Sequence, residues 1–311
     1  PPLFFLMIRR PPRSTLFPYT TLFRSNKPVE MIFEKAPEKV FAYANSNIEE
    51  LLALGLGDKI VAAYGLDGDV REDLKDEFDK IQYMDTKPSK EEVVAMEPDF
   101  IAAWYSSFSD DWLSDVSFWQ ERGVNTYMSL NSAAKGPASE FPRTIEDEYE
   151  DILNLGKIFD CEDKAEEIVD QMKGEIDKVK EHVEGTDPLS VAVLEDEGDS
   201  FRVYGTETLG GNIPETLGAE LKLGAENSEN VGAEDLIAAD PDVLFMINYD
   251  GFMTADEAIA DITDNPAYAS LSAVKNNKVF SVNLNEVYCS GVRTYDGIMT
   301  FAKALYPVVY E

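Results

Sequence analysis

Short apolar runs alternate along this chain with stretches whose apolar residues recur every three or four positions. The runs at residues 39–43, 59–64, 99–105, 124–128, 189–194, 201–204, 243–247 and 278–282 read as strands. They are too short for buried helices and are bounded by turn residues. The helical pattern falls over residues 47–54, 70–80, 110–122, 144–159, 162–184 and 294–305. Ser46 or Asn47 is placed to cap the first of these helices, and Gly55 and Gly57 to stop it. Gly210 and Gly211 predict a turn, after which Asn212 caps a helix with Ile213 and Pro214 in its first turn. Strands alternating with helices imply parallel sheets covered on both faces.

One piece of this pattern occurs twice. Residues 89–103 read SKEEVVAMEPDFIAA and residues 232–246 read GAEDLIAADPDVLFM. Glu91 matches Glu234, Ala95 matches Ala238, and Pro98-Asp99 matches Pro241-Asp242. Each copy predicts a short amphipathic helix, a Pro-Asp stop and a buried strand. A unit recurring at domain-sized spacing predicts two similar α/β lobes, with a ligand cleft expected between them. Within residues 162–184, Ile168, Met172, Ile176, Val179 and Val183 form one apolar stripe. That helix has no preceding strand of the second lobe and reads as a single long strut joining the lobes. The expected division is therefore a first lobe over 26–160, a connecting helix over 161–185 and a second lobe over 186–311.

Composition narrows the partners. The 311 residues hold 60 acidic and 27 basic side chains, a net charge of −33. Such a charge repels nucleic acid and anionic lipid. Residues 7–25, MIRRPPRSTLFPYTTLFRS, match the translation of a common short-read sequencing adapter. Residues 1–25 are therefore set aside as an artefactual segment with no expected structure, and the true N-terminus, with any signal segment, is expected to be missing. The rest has no run of about 18 apolar residues that could span a membrane.

Catalytic and metal motifs are scarce. No GxSxG, Walker loop or strand-linked GxGxxG occurs. The one histidine, His182, lies in a highly charged helix. Cys161 and Cys289 are too few for a cluster or a disulfide framework and read as free thiols. Binding remains. In doubly wound sheets, ligands sit at the carboxyl ends of the strands. There the first lobe offers Asn45, Tyr64, Trp104 and Tyr105, and the second offers Arg202, Tyr204, Tyr249, Tyr288 and Arg293. Aromatic rings form apolar walls with polar tips, and arginines hold anionic groups.

The segments at 39–65 (KVFAYANSNIEELLALGLGDKIVAAYG), 91–104, 234–246 and 287–307 together resemble the solute-binding proteins of ABC importers in the class for ferric siderophores, haem and vitamin B12. The resemblance spans nearly all of residues 26–311. It implies two Rossmann-like lobes joined by one long helix and a monomer outside the cell, often lipid-anchored. The partners it implies are a chelate and a membrane permease dimer. It implies no enzymatic activity and no cofactor. Ligands rank as siderophore, haem, then corrinoid, and for haem Tyr105, Tyr204, Tyr249 or Tyr288 could supply an axial oxygen. In this family a glutamate on each lobe meets permease arginines. These map onto Glu91 and Glu234, each seven residues before the repeated proline. First-turn acids also suit a helix dipole, and Ser89 with Glu92 fits a capping box. A sensor for a membrane receptor and a metal-cluster enzyme on a similar scaffold stay open as alternatives.

Overall fold

A computed structural model describes residues 19–24, 27–33, 35–133, 143–224, 230–249 and 251–311. The chain divides into two compact units. The first comprises Pro1–Glu140 with Glu148–Val169, and the second comprises Phe141–Asp147 with Asp170–Glu311. The long helix forms over Glu162–Val183 and is shared by both units, since the division falls after Val169. Its buried stripe is Ala165, Val169, Met172, Ile176 and Val179, so Val169 takes the inward place expected for Ile168.

The first unit begins with a hairpin of β1 (Tyr19–Arg24) and β2 (Lys27–Ile32). β1 departs from the expectation that residues 1–25 take no structure. Its Thr, Leu and Phe residues suit a strand, and it pairs with β2 from Tyr19–Ile32 to Arg24–Lys27. Residues 1–18 lie outside the described residues. The main sheet holds β3 (Val40–Tyr43), β4 (Ile60–Tyr64), β5 (Phe100–Ala103) and β6 (Asn125–Met128), all parallel, in the order β4-β3-β5-β6. The chain reverses its winding between β3 and β5, the place where such sheets bind ligands.

The second unit repeats the plan with β7 (Ser190–Asp196), β8 (Phe201–Val203), β9 (Glu220–Leu221), β10 (Val243–Asn248) and β11 (Val279–Asn283). β11, β10 and β7 are parallel. β9 pairs in parallel with the start of β7, and β8 pairs antiparallel with its end. β5 and β10 are buried throughout, as their unbroken apolar sequences require.

The sequence repeat is one folding device used twice. The helices Lys90–Ala95 and Ala233–Ala239 precede β5 and β10. Each is followed by an acidic residue in left-handed backbone, Glu97 at φ 51° and Asp240 at φ 40°, which ends the helix. The repeated aspartates then secure the start of the neighbouring strand. Asp99 accepts hydrogen bonds from the Glu38 and Lys39 N–H groups (2.8–3.1 Å), just before β3. Asp242 accepts from the N–H and hydroxyl of Ser190, the first residue of β7, at 3.0 and 2.7 Å. Val93 and Leu236 are fully buried at matching positions.

Some expected boundaries shift. The first helix is Asn45–Ala53, and neither Ser46 nor Asn47 caps it. The Asn47 amide instead donates to the Tyr43 carbonyl, and Ser46 accepts from Trp104 Nε1. The helix expected over 110–122 is only Val116–Gln120, capped by Asp115. Residues 70–80 form two single turns, Glu72–Leu74 and Lys75–Phe78. Gly210 and Gly211 are helical, not a turn. Thr208 caps Leu209–Thr216, and Pro214 lies inside it. The glycines are needed because this helix starts with Gly211 against the backbone of Gly205 and Tyr204 and Gly210 against the Tyr204 side chain.

Behind the first sheet lies a buried polar cluster. Tyr127 and the Leu130 N–H donate to Asp151 at 2.5 and 2.8 Å, and Asn131 donates to Glu148 at 2.5 Å. Glu50 is 1% exposed, and its Oε2 has no hydrogen-bond partner among the described residues. Burial, and then the charges of Asp151, Glu148 and Glu49, push its carboxyl well above the ordinary value of 4.5. Unfolded, Glu50 titrates near that ordinary value. The protonated form therefore stabilises the fold fully below it, and that contribution is lost as pH rises through the raised value. Glu50→Gln, which mimics the neutral acid, is expected to lose less stability than the parent between about pH 5 and about pH 8. Thermal melts across that range check this, and parallel curves for the two proteins contradict it.

Candidate functional site

At the carboxyl end of the first sheet, aromatic rings gather. Tyr43 ends β3 and Tyr64 ends β4, and their rings stack with centres 6.0 Å apart. Trp112 meets Tyr43 edge-on at 4.7 Å and Tyr64 at 6.0 Å, and Trp104 meets Tyr43 at 6.2 Å. Each indole is aimed by its N–H: Trp104 donates to Ser46 Oγ at 3.0 Å and Trp112 to the Pro88 carbonyl at 2.6 Å. The Lys87 ammonium sits 4.4 Å from the Trp112 ring centre. The four aromatic side chains named here remain only partly buried, so this wall can take an apolar or conjugated ligand face.

Asn45 lies at the winding reversal, directly after Ala44, whose φ of 74° is unusual for a side chain with Cβ. Asn45 Oδ1 accepts the Asp67 N–H at 2.6 Å, while its buried Nδ2 has no partner among the described residues. Burial raises the Asp67 carboxyl. Burial, with Asp67 and Tyr64, raises the Tyr43 phenol, so the phenol stays protonated at neutral pH. Tyr105 is held by its own N–H, which donates to Ser132 Oγ at 2.9 Å, and its ring joins none of these ring contacts. Tyr43 and Trp112 are absent from the sequence-based set. Tyr43 closes a strand that the pattern identified, whereas Trp112 reaches the group only through the tertiary fold.

In the second unit a carboxylate gathers three of the expected residues. Glu195, next to last in β7, lies directly across from Arg202 of β8. Its Oε2 accepts from the Tyr204 hydroxyl at 2.8 Å and pairs with Arg202 Nη1 at 3.5 Å. Its Oε1 accepts from the Tyr249 hydroxyl, after β10, at 3.2 Å. The Arg202 guanidinium also lies 5.3 Å from the Tyr204 ring centre. Burial, and then Glu195, raise both phenols. Tyr204 and Tyr249 thus hold their protons at neutral pH and direct them to Glu195. Arg202, expected to clamp an anion, is already engaged by Glu195. The cross-strand pairing of Glu195 with Arg202 emerges only from the β7–β8 register, since one acid among 60 does not stand out in the sequence.

Tyr288 and Arg293 form a second group in this unit. The Tyr288 N–H donates to Ser290 Oγ and the Arg293 N–H to the Ser290 carbonyl, at 2.9 and 3.0 Å. The Arg143 guanidinium lies 5.2 Å from the Tyr288 ring centre.

Glu91 and Glu234 occupy equivalent first turns, and both are exposed. The capping work falls to their neighbours. Glu92 accepts from the Ser89 N–H at 2.7 Å, and Asp235 accepts from the Gly232 N–H at 2.8 Å. These bonds hold the Glu92 carboxyl below its ordinary range. Among the described residues neither Glu91 nor Glu234 makes a hydrogen bond or ion pair. Three residues on, Val94 and Ile237 are each 37% exposed, a rare state for large apolar side chains here. The helix dipole alone does not explain why two matching acids stay unpaired beside exposed aliphatics.

Among the described residues no group of three or more His, Cys, Asp or Glu could hold a metal ion. Cys161 and Cys289 are in no disulfide, and burial pushes the Cys161 thiol up to about 11. His182 is exposed. No helix of the described residues is long and apolar enough to cross a membrane.

Two parallel α/β units with aromatic and ionic groups at their strand ends define a ligand-binding protein of the bilobal class. The chain belongs to the periplasmic binding protein family, whose model matches residues 40–283. It is similar to a periplasmic binding protein from Veillonella parvula DSM 2008, with 30% identity and a TM-score of 0.88, covering 96% of this chain and 93% of that one. It is also 24% identical over 302 residues to the "uncharacterized ABC transporter substrate-binding lipoprotein YvrC" of Bacillus subtilis (strain 168), covering 96% of this chain and 89% of the relative. The Fe(3+)-citrate-binding protein YfmC of the same organism is 25% identical over 202 residues, covering 64% of this chain and 58% of that protein.

Proposed function

We propose that this protein is an extracytoplasmic, non-enzymatic substrate-binding protein of an ABC importer that captures an iron chelate and delivers it to a membrane permease. Ferric siderophores are the first ligand class, haem and corrinoids the next. The strand-end groups of either unit contribute to capture, and Glu91 and Glu234 dock to basic groups of the permease. The observation that carries the reading is the pair of unengaged glutamates in equivalent helices, each beside an acid that does the capping. Two separated carboxylates steer and orient a basic partner. Family membership and a relative named for Fe(3+)-citrate binding support the ligand class.

A ligand that binds only the folded state stabilises it by RT ln(1 + [L]/Kd). At a hundredfold excess over Kd this is about 2.7 kcal/mol, a rise of about 5 °C in melting temperature. A panel of ferric siderophores, haem and corrinoids is expected to contain at least one ligand with such an effect. No shift from any member counts against the reading.

A further inference from the structure

We propose that Glu195 selects the charge of the ligand: it turns the second unit's strand-end group toward cationic or hydrogen-bond-donating chelates and against polyanionic ones. This rests on the binding-protein reading above. A phenol has one proton to donate. Tyr204 and Tyr249 both commit theirs to Glu195, at 2.8 and 3.2 Å, which leaves oxygen lone pairs as their remaining capacity. Arg202, the cation of this group, is matched by the same carboxylate at 3.5 Å. Four polar side chains are thereby set as a neutral ion pair, one buried phenol and one partly exposed phenol acceptor. An anionic chelate, which brings acceptors and negative charge, finds no phenol proton and no uncompensated cation among these four. A chelate carrying an ammonium or amide N–H finds the Tyr249 phenol oxygen and the edge of a carboxylate, while Tyr204, 1% exposed, serves to hold Glu195. Burial, and then Glu195, favour the protonated phenols, which keeps both hydrogen bonds in place.

Nothing in the chain's overall charge requires this. Arg202 stands on β8 with its side chain 41% exposed and could have met an anion directly had residue 195 been neutral. Glu195, by contrast, is 13% exposed and is held by cross-strand register and by three partners from β8, its following residue and the end of β10. It is a specificity determinant that acts chiefly through the groups it holds.

The test uses the purified full chain and the variants Glu195→Gln and Arg202→Gln. Intrinsic tryptophan fluorescence titrations give Kd for ferrioxamine B, a cationic ferric hydroxamate, and for ferric citrate and a ferric tricatecholate, both polyanions. The readout is the ratio of anionic to cationic Kd. Glu195→Gln is expected to shift this ratio toward the anions by about tenfold or more, since it removes one nearby charge and frees Arg202. Arg202→Gln, which leaves the carboxylate uncompensated, is expected to tighten the cationic chelate and shift the ratio the other way. It decides the matter alone if Glu195→Gln fails to fold, as judged by its melting transition. A ratio within about twofold of the parent in Glu195→Gln, or an unchanged cationic Kd in Arg202→Gln, overturns the role of Glu195 but leaves the binding-protein reading intact. No binding of any chelate by parent and variants refutes both.

Discussion

Replacing Glu91 and Glu234 together by Ala is expected to cut chelate import by at least about tenfold while leaving chelate affinity within about twofold. The dissociation of the two effects follows from where these residues sit. Each occupies the first turn of a helix that precedes β5 or β10, at the end of the strand opposite to the aromatic and Glu195 groups. Neither engages another described residue, so their loss removes no contact within the fold. Helix stability is also preserved, because Glu92 and Asp235 keep the caps. Replacing those neighbours by Ala is instead expected to cost about 1 kcal/mol of stability each. Uptake into proteoliposomes holding the permease, measured beside equilibrium binding, separates the outcomes. Unchanged uptake by the double variant removes the docking role and favours a sensor for a membrane receptor. Lost affinity instead places the glutamates in ligand capture.

The largest expected loss of stability comes from Gly211→Ala. A Cβ at Gly211 would lie 2.1 Å from the Gly205 carbonyl oxygen and 2.8 Å from that of Tyr204. Both obstacles are backbone, so no side chain can rotate away. Gly205 has no room to retreat, since a Cβ there would itself stand 2.2 Å from the Gly224 oxygen. The loop must shift, which carries Tyr204 and its bond to Glu195 with it. The cost is about 3 kcal/mol, or roughly 6 to 12 °C in melting temperature. Gly174→Ala is the contrasting case. Gly174 lies in the long helix with nothing within 4 Å of a new Cβ, and the change is expected to stabilise by about 0.5–1 kcal/mol. Calorimetry of both variants checks the pair. Equal effects would mean that the close backbone approach at Gly205 does not exist.

These two sets of residues mark what a sequence can convey. The repeat around Pro98-Asp99 and Pro241-Asp242 was visible because it combines a helical period, a stop and an apolar run, each a local signal. The structure adds why the aspartates recur: each anchors the first residues of the adjacent parallel strand. The β3, β5, β7 and β10 strands were legible for the same local reason. The caps of the first helix and of Leu209–Thr216 were misassigned. There Ser46 answers to Trp104, Asn47 to the Tyr43 carbonyl, Gly210 to the Tyr204 ring and Gly211 to the Gly205 backbone. The candidate site was legible in part. Tyr64, Trp104, Arg202, Tyr204 and Tyr249 were located by the rule that ligands meet strand ends. Glu195 was not, because one acid among 60 carries no pattern of its own. Its meaning comes from the register that sets it opposite Arg202. The capping box that Thr254 and Glu257 form was readable in principle and marks the helix Ala255–Thr263, which the apolar period alone did not reveal.

Native mass spectrometry of the full chain with a mixed library of ferric siderophores, haem and corrinoids tests capture most directly. The account predicts a single adduct at one chelate per chain, retained under conditions that strip nonspecific ions and enriched for cationic or amide-bearing iron complexes. A spectrum showing only the bare protein across the whole library would contradict it.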